Sequence, residues 1–293
     1  VKFSLVVATV GRTLELERLL RSLAGQVERS FEVIVVDQNA DDRLGDLPVR
    51  WAGRLDVVHV RAEARGASAA RNLGARLARG AVVSFPDDDC WYAPDVLRLA
   101  ARLMEARHVA FVCGAATDPR GRFVVGRFTD RAVPVTTRNV WTTSIEFATF
   151  IRADAFVRAG GFDERLGPGA DSPFQCHEID DLLLRLLRLG MRGHYDPGLA
   201  VFHPDTDDAD VDRRVARARR YAPGLGAVVR KNRLGGSVLL RFLLRSLGGV
   251  AVSLARGRLT DARVHAVTLR YRLRGWLTSR GLLNEHTDTA SRR

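Results

Sequence analysis

Apolar residues in the first third of the chain come in short unbroken runs. These alternate with stretches where they recur every three or four positions. Residues 3–8, 32–36, 56–60, 81–85 and 109–113 read as strands. Their runs are continuous rather than alternating, as in strands buried on both faces. Between them, 13–24 carries Leu16, Leu19, Leu20 and Leu23 at helical spacing, and 68–79 carries Leu73 and Leu77 ahead of Gly80, a C-cap. Residues 94–106 form a further helical stretch behind Pro94. The alternation of strands and helices predicts an α/β fold, a mainly parallel sheet covered by helices on both faces.

Beyond Gly114 the pattern changes. Residues 122–125 and 145–151 read as strands of a more mixed region and 153–159 as a short helix. Gly160-Gly161-Phe162-Asp163 reads as a turn and 167–173 as a loop. A strongly apolar helix is expected over 177–189, stopped by Gly190. Short strands are expected over 192–195 and 199–202, on either side of Asp196-Pro197-Gly198.

The charge alters this picture only at the C-terminal end. The chain has 293 residues and a net charge of +12. Residues 211–293 hold 19 Arg or Lys against 4 Asp or Glu, a net +15, so 1–210 carries −3. A division follows: a larger α/β domain over 1–210 and a basic helical region over 211–293. Within the latter, Arg241, Arg245 and Arg256 interrupt a markedly apolar stretch. The longest charge-free run between them is ten residues, half of what a membrane-spanning helix needs. Amphipathic helices on an anionic membrane surface are therefore expected, with the end from Asn284 disordered. Three scattered cysteines, Cys90, Cys113 and Cys176, make neither a zinc pattern nor a disulfide framework and fit a reducing compartment. The chain enters a strand at once without signal-peptide features, so a cytoplasmic protein peripheral on the inner face of the cell membrane is expected.

The chemistry concentrates where strands end. In an open parallel sheet, ligands bind beyond the carboxyl ends of the strands. The polar residues there are Thr9, Asp37, Asn39 and the run Asp87-Asp88-Asp89. Three adjacent carboxylates repel one another, which packing alone does not explain. In extended backbone, Asp87 and Asp89 point the same way and can share one hard cation, Mn2+ or Mg2+. Ala8-Thr9-Val10-Gly11-Arg12 is not a dinucleotide fingerprint and no P-loop is present, which argues against nicotinamide and P-loop nucleotide chemistry.

With these residues in place, about 3–205 resembles a glycosyltransferase of family 2 with the GT-A fold. The resemblance rests on Val6-Val7-Ala8-Thr9 with Arg12, Val33-Ile34-Val35-Val36-Asp37-Gln38-Asn39 and Gly66-Ala67-Ser68-Ala69-Ala70-Arg71-Asn72. It continues through Phe85-Pro86-Asp87-Asp88-Asp89, Gly160-Gly161-Phe162-Asp163-Glu164 and Glu178-Ile179-Asp180-Asp181-Leu182-Leu183-Leu184-Arg185. It implies that Asp37 accepts from the ring N–H of uracil or thymine and that Thr9, Arg12 and Asn39 line the nucleotide. It implies further that Arg71 meets the diphosphate and Asp88 the ribose. Asp87 and Asp89 hold the metal, Asp89 directly, with His203 completing the shell. The implied reaction is an inverting single displacement by an acceptor hydroxyl, with a carboxylate taking its proton. Relatives often place an Asp directly after the Glu at the start of the late helix. Here that residue is Ile179, so the proton falls to Glu178 first, Asp181 second and Asp180 third. Trp91 and Trp141 could offer a sugar-ring face or serve the core.

The expected partners are a nucleoside-diphosphate sugar, UDP or dTDP type, and a glycan or lipid-linked acceptor in surface polysaccharide or glycolipid synthesis. Two other readings rest on single features. Ile179 is compatible with a catalytically silent nucleotide-sugar-binding module. The basic tail is compatible with nucleic-acid binding, but it lacks interleaved aromatics and a known module, and it leaves Asp87–Asp89 unexplained. No nucleic-acid partner is expected.

Overall fold

The computed structural model describes residues 2–63, 65–205 and 210–283. In chain order the elements are β1 (Phe3–Thr9), α1 (Leu14–Ala24), β2 (Phe31–Asp37), α2 (Leu47–Trp51), β3 (Val57–Arg61), α3 (Ala67–Leu77), β4 (Val82–Ser84) and β5 (Trp91–Tyr92). Then come α4 (Val96–Arg107), β6 (Phe111–Thr117), β7 (Val133–Val135), β8 (Thr149–Arg152), α5 (Ala153–Arg158), α6 (Glu178–Arg188) and β9 (Gly193–Phe202). Three long helices close the series: α7 (Val211–Lys231), α8 (Gly236–Ala255) and α9 (Leu259–Thr278).

The chain divides into two compact units. One comprises Val1–Asp163 and Leu182–Thr206, the other Glu164–Asp181 and Asp207–Arg293. The expected break near residue 210 lies close to one of these boundaries. However, Glu164–Asp181 groups with the C-terminal helices, so the first unit is discontinuous in sequence.

The first unit is built on a sheet of order β3-β2-β1-β4-β8-β6-β9-β5, with β7 paired to β9. Strands β3, β2, β1 and β4 are mutually parallel. Strand β8 runs antiparallel to both β4 and β6, which restores the original direction in β6 and in its parallel partner β9. The carboxyl ends of β1, β2, β4, β6 and β9 therefore share one rim. Order reverses at β1, whose neighbours β2 and β4 lie on opposite sides, and such a switch point opens a crevice at the rim. Val and Ile fill β1 and β2 because both faces are covered, and Leu16, Leu19, Leu20 and Leu23 of α1 are buried in the core beside them.

Two local devices hold the sheet. Glu32, fully buried in β2, accepts from Ser4 Oγ at 2.6 Å and from Arg79 N and Nε at 2.7 and 2.8 Å. Gly74 lets α3 lie directly on β1 and β2. A Cβ there would overlap Val6 Cγ1 and come within 2.9 Å of Val36 Cγ2.

Some expectations are corrected. Residues 122–125 form no strand and contribute one bridge, Phe123 to Thr117. The two late strands are one, β9, whose partners pair with residues 193–195 and 200–202. Pro197 sits in the gap between these pairings, where its missing N–H costs no ladder bond. The 145–151 strand is shorter, a 3-10 turn over Glu146–Ala148 followed by β8. Elements α2, β5 and β7, two to five residues long, were too short to show a period. Residues 284–293, expected to be disordered, lie outside the described residues.

In the second unit, α7 and α9 approach through glycines. A Cβ on Gly226 would overlap Arg272 O of α9, and one on Gly275 would overlap Pro223 O of α7. Arg230 Nη1 donates to Trp276 O at 2.7 Å and lies over its ring at 4.7 Å. Near the start of α6, buried Asp181 accepts from Lys231 Nζ at 2.6 Å and Asn232 Nδ2 at 2.8 Å. This ion pair is almost wholly removed from water, with 2% of the lysine side chain and none of the aspartate exposed. Helix α8 is long and apolar enough to cross a membrane by length and composition, which the ten-residue charge-free run did not suggest.

Candidate active site

The rim brings together residues from four strand ends. After β4 the chain turns through Asp87, Asp88 and Asp89, and His203 follows β9. Its N–H donates to Thr117 O at the end of β6 at 3.0 Å. Ligand atoms of Asp87, Asp89 and His203 all lie within 4.8 Å of one another, the group among the described residues able to hold a metal ion. Two carboxylates and an imidazole fit Mn2+ well and leave room for phosphate oxygens, whereas Mg2+ would rely on the carboxylates.

Each member is fixed from behind. His203 stacks on Phe147 with centroids 5.1 Å apart and planes at 16°. Its Nδ1 bonds to Pro204 O at 2.8 Å, and its Nε2 faces Asp89 Oδ1 at 3.2 Å. A donor Nδ1–H would leave Nε2 as the ligating atom. Burial alone would raise the Asp89 carboxyl and lower the His203 imidazole. Their hydrogen bond and charges win, with Asp89 held below its ordinary value and His203 above. Asp87 Oδ1 accepts from Arg71 Nη2 at 2.7 Å. Arg71, buried on α3, also lies over the Phe162 ring at 5.6 Å.

Asp88 points elsewhere. It accepts from Thr9 Oγ1 at 2.7 Å and from Arg12 Nη1 at 2.6 Å, and Arg12 reaches Asp89 Oδ2 at 2.6 Å as well. Burial pushes the Asp88 carboxyl up despite the opposing pull of Thr9 and Arg12. Thr9, Arg12 and Asp88 therefore brace β1 against the acidic turn.

The second cluster surrounds Asp37, opposite Thr9 in the β1–β2 register. Its Oδ1 accepts from Asn39 N and Nδ2 at 2.8 and 2.7 Å, and its Oδ2 meets His59 Nε2 at 3.0 Å. Asn39 in turn accepts from Gly11 N at 2.7 Å, and Gln38 accepts from Gly66 N at 2.9 Å ahead of α3. A carboxylate has about four acceptor positions, and these contacts use three of them on a side chain that is fully buried. Sequence reading missed His59. Only the strand register reveals it: β3 aligns His59 with Val35, two residues before Asp37 and on the same face.

The three acids proposed for proton transfer lie in the other unit. Glu178 opens α6 and is buried. Asp180 Oδ2 meets His177 Nδ1 at 2.6 Å, and His177 adopts φ +72°, a conformation uncommon for a non-glycine residue. Asp181 is the partner of Lys231 and Asn232. Trp91 stacks under Arg18 at 4.0 Å and beside Phe202 at 5.7 Å, and Trp141 lies in a 3-10 turn over Val140–Thr142.

Known proteins share both the sequence and the fold. An uncharacterized glycosyltransferase of Haemophilus influenzae is 28% identical over 195 residues, 63% of this chain and 62% of its own length. TarS of Staphylococcus aureus, a poly(ribitol-phosphate) beta-N-acetylglucosaminyltransferase, is 30% identical over 36% of this chain and 19% of its own. The chain thus spans less than two thirds of the length of these relatives. Among solved structures, residues 1–349 of TarS in complex with UDP-GlcNAc superpose with a TM-score of 0.61 at 18% identity, covering 93% of this chain and 92% of that one. A mannosyltransferase from Pyrobaculum calidifontis in complex with GDP-Man and Mn2+ gives 0.66 at 18%, covering 95% and 88%. These likenesses establish a GT-A fold. Residues 4–158, just over half of the chain, match the family model "Glycosyl transferase family 2". The acidic turn beside the switch point of this sheet is thus a feature of a chain that belongs to glycosyl transferase family 2.

Proposed function

We propose that the protein transfers a sugar, with inversion, from a nucleoside-diphosphate donor of the UDP or dTDP type. The acceptor would be a hydroxyl of a glycan or lipid-linked molecule at the cytoplasmic face of a membrane, in surface polysaccharide or glycolipid synthesis. The observation that carries this reading is the convergence of Asp87, Asp89 and His203 on the same rim as Asp37. Nucleotide-sugar complexes of the two fold neighbours, one holding Mn2+, agree with it.

In this reading Asp37 accepts from the base N–H, and His59 and Asn39 hold its carboxylate in the required orientation. Arg71 presents its guanidinium to the diphosphate while fixing Asp87. Asp87, Asp89 and His203 would hold Mn2+ or Mg2+, which supplies positive charge to the departing nucleoside diphosphate. Asp88, turned to Thr9 and Arg12, keeps the acidic turn rigid. Proton removal from the acceptor falls to Glu178, with Asp180, paired to His177, second. Asp181, neutralised by Lys231, serves to position α6.

Titration of UDP and UDP-sugars by calorimetry, with and without Mn2+, tests the reading. Binding should require the ion and weaken at least about tenfold in Asp89→Ala, as loss of a directly ligating carboxylate implies. Binding that is indifferent to both would reject it. Hydrolysis of the donor sugar should be lost in Glu178→Gln, and persistence there with loss in Asp180→Asn would transfer the base role.

A further inference from the structure

Helix α8 turns more apolar surface outward than a helix surrounded by water should. The stripe facing its neighbours contains Ser246 and Ser253, 3% and 6% exposed, together with Leu239 and Phe242. The opposite stripe is Leu240, Leu244, Leu247, Ala251 and Leu254, spaced i, i+4, i+7, i+11 and i+14 along 20 residues. Its four leucines are each more than half exposed. A helix in a soluble domain turns its apolar side inward. An exposed apolar band about 21 Å long marks a surface that meets something apolar. Arg241 and Arg245, exposed and four apart, run along one flank of this band, and Arg256 and Arg258 follow its end.

We propose that this outward face of α8 docks on an anionic lipid bilayer, lying in the interface rather than crossing it. The inference deepens the membrane-side acceptor proposed above and rests on that reading for its purpose. Charge selects the occupant. Residues 211–293 carry a net +15, so a second copy would bring two strongly cationic surfaces together, whereas anionic headgroups complement them. Packing selects the orientation. Arg272 of α9 donates to Phe242 O and Ser246 Oγ of α8 at 3.1 and 2.8 Å. At Gly249 the backbone passes so close to His265 that a Cβ would lie 2.8 Å from its ring. Crossing would separate α8 from α9, or would drag Arg263, Arg270, Arg272 and Arg274 into hydrocarbon. Lying flat keeps these contacts, buries the leucines and lets Arg241 and Arg245 reach phosphates.

Co-sedimentation of the full chain with phosphatidylcholine vesicles, with and without phosphatidylglycerol, tests this. Wild type should sediment with the anionic vesicles, and high salt or alkaline carbonate should release it. The double variant Leu244→Glu/Leu247→Glu should lose about a hundredfold in partitioning while keeping its helical circular dichroism. Arg241→Gln/Arg245→Gln should lose the preference for anionic lipid. Wild type that stays in the supernatant, or a leucine variant that sediments as well as wild type, overturns the proposal. So does resistance to carbonate extraction, or a leucine variant that turns a dimer into a monomer without altering vesicle binding. Hydrolysis of a soluble UDP-sugar, measured in parallel without vesicles, should be the same in all three proteins. Its absence in wild type would reject the transferase reading and leave the docking result to stand or fall alone.

Discussion

Individual side chains at the rim are held by more than one partner, and this sets what each substitution should do. Arg71 bonds Asp87 and lies over Phe162. A lysine offers a single rotatable ammonium and no flat face. Arg71→Lys should therefore weaken UDP binding in Mn2+ by about tenfold, about 1.4 kcal/mol, with little change in melting temperature, which calorimetry and a thermal scan check together. The Asp181–Lys231 pair behaves differently because it is buried. Removing the lysine leaves an aspartate without its cation, and Lys231→Met should cost about 3–5 kcal/mol in urea unfolding. A further Asp181→Asn change should restore part of that loss, and additive losses in the double variant would show that the pair is not coupled.

At the level of elements, strand and helix are joined by a few close contacts. Gly74→Ala drives a methyl group into Val6 and Val36, so α3 must shift off the sheet. The expected destabilisation is about 1–3 kcal/mol, and Arg71 on α3 should carry the effect into weaker nucleotide binding. The link between Glu32 and Arg79 ties β2 to the end of α3 and should appear as a pH dependence. Burial alone would raise the Glu32 carboxyl, but bonds from Ser4 and Arg79 hold it below its ordinary value. A group with a depressed pKa contributes stability that is fully present above its unfolded pKa, about 4.3. That contribution is lost as pH falls through the lower folded value. Stability of wild type should fall below about pH 4.3 more steeply than that of Glu32→Gln, and parallel curves for the two would contradict this link.

For the whole molecule, ligand binding to the first unit should appear as cooperative stabilisation. A ligand at a hundredfold excess over its Kd adds about 2.7 kcal/mol. UDP with Mn2+ should thus raise the melting temperature by several degrees, and neither UDP alone nor Mn2+ alone should match it. If UDP without metal gives the full shift, the acidic turn is not a metal site.

Alternating strands and helices, the rim to which Asp37 and Asp87–Asp89 belong, and the basic C-terminal region were all legible in the order of residues. Periodicity and continuous apolar runs are local records of burial, and adjacent carboxylates are conspicuous wherever they occur. The remaining features came from packing between distant segments. That packing aligned His59 with the β2 residues leading to Asp37, turned Asp88 toward Thr9 and Arg12, and gave Asp181 to Lys231, 50 residues away. Packing also joined two expected strands into β9 across Pro197, and faced Ser246 and Ser253 of α8 inward with Leu240, Leu244, Leu247 and Leu254 outward. Such outcomes depend on which partner occupies each face. Spacing along a chain gives the direction in which a side chain points, but the neighbour it meets is supplied by distant residues.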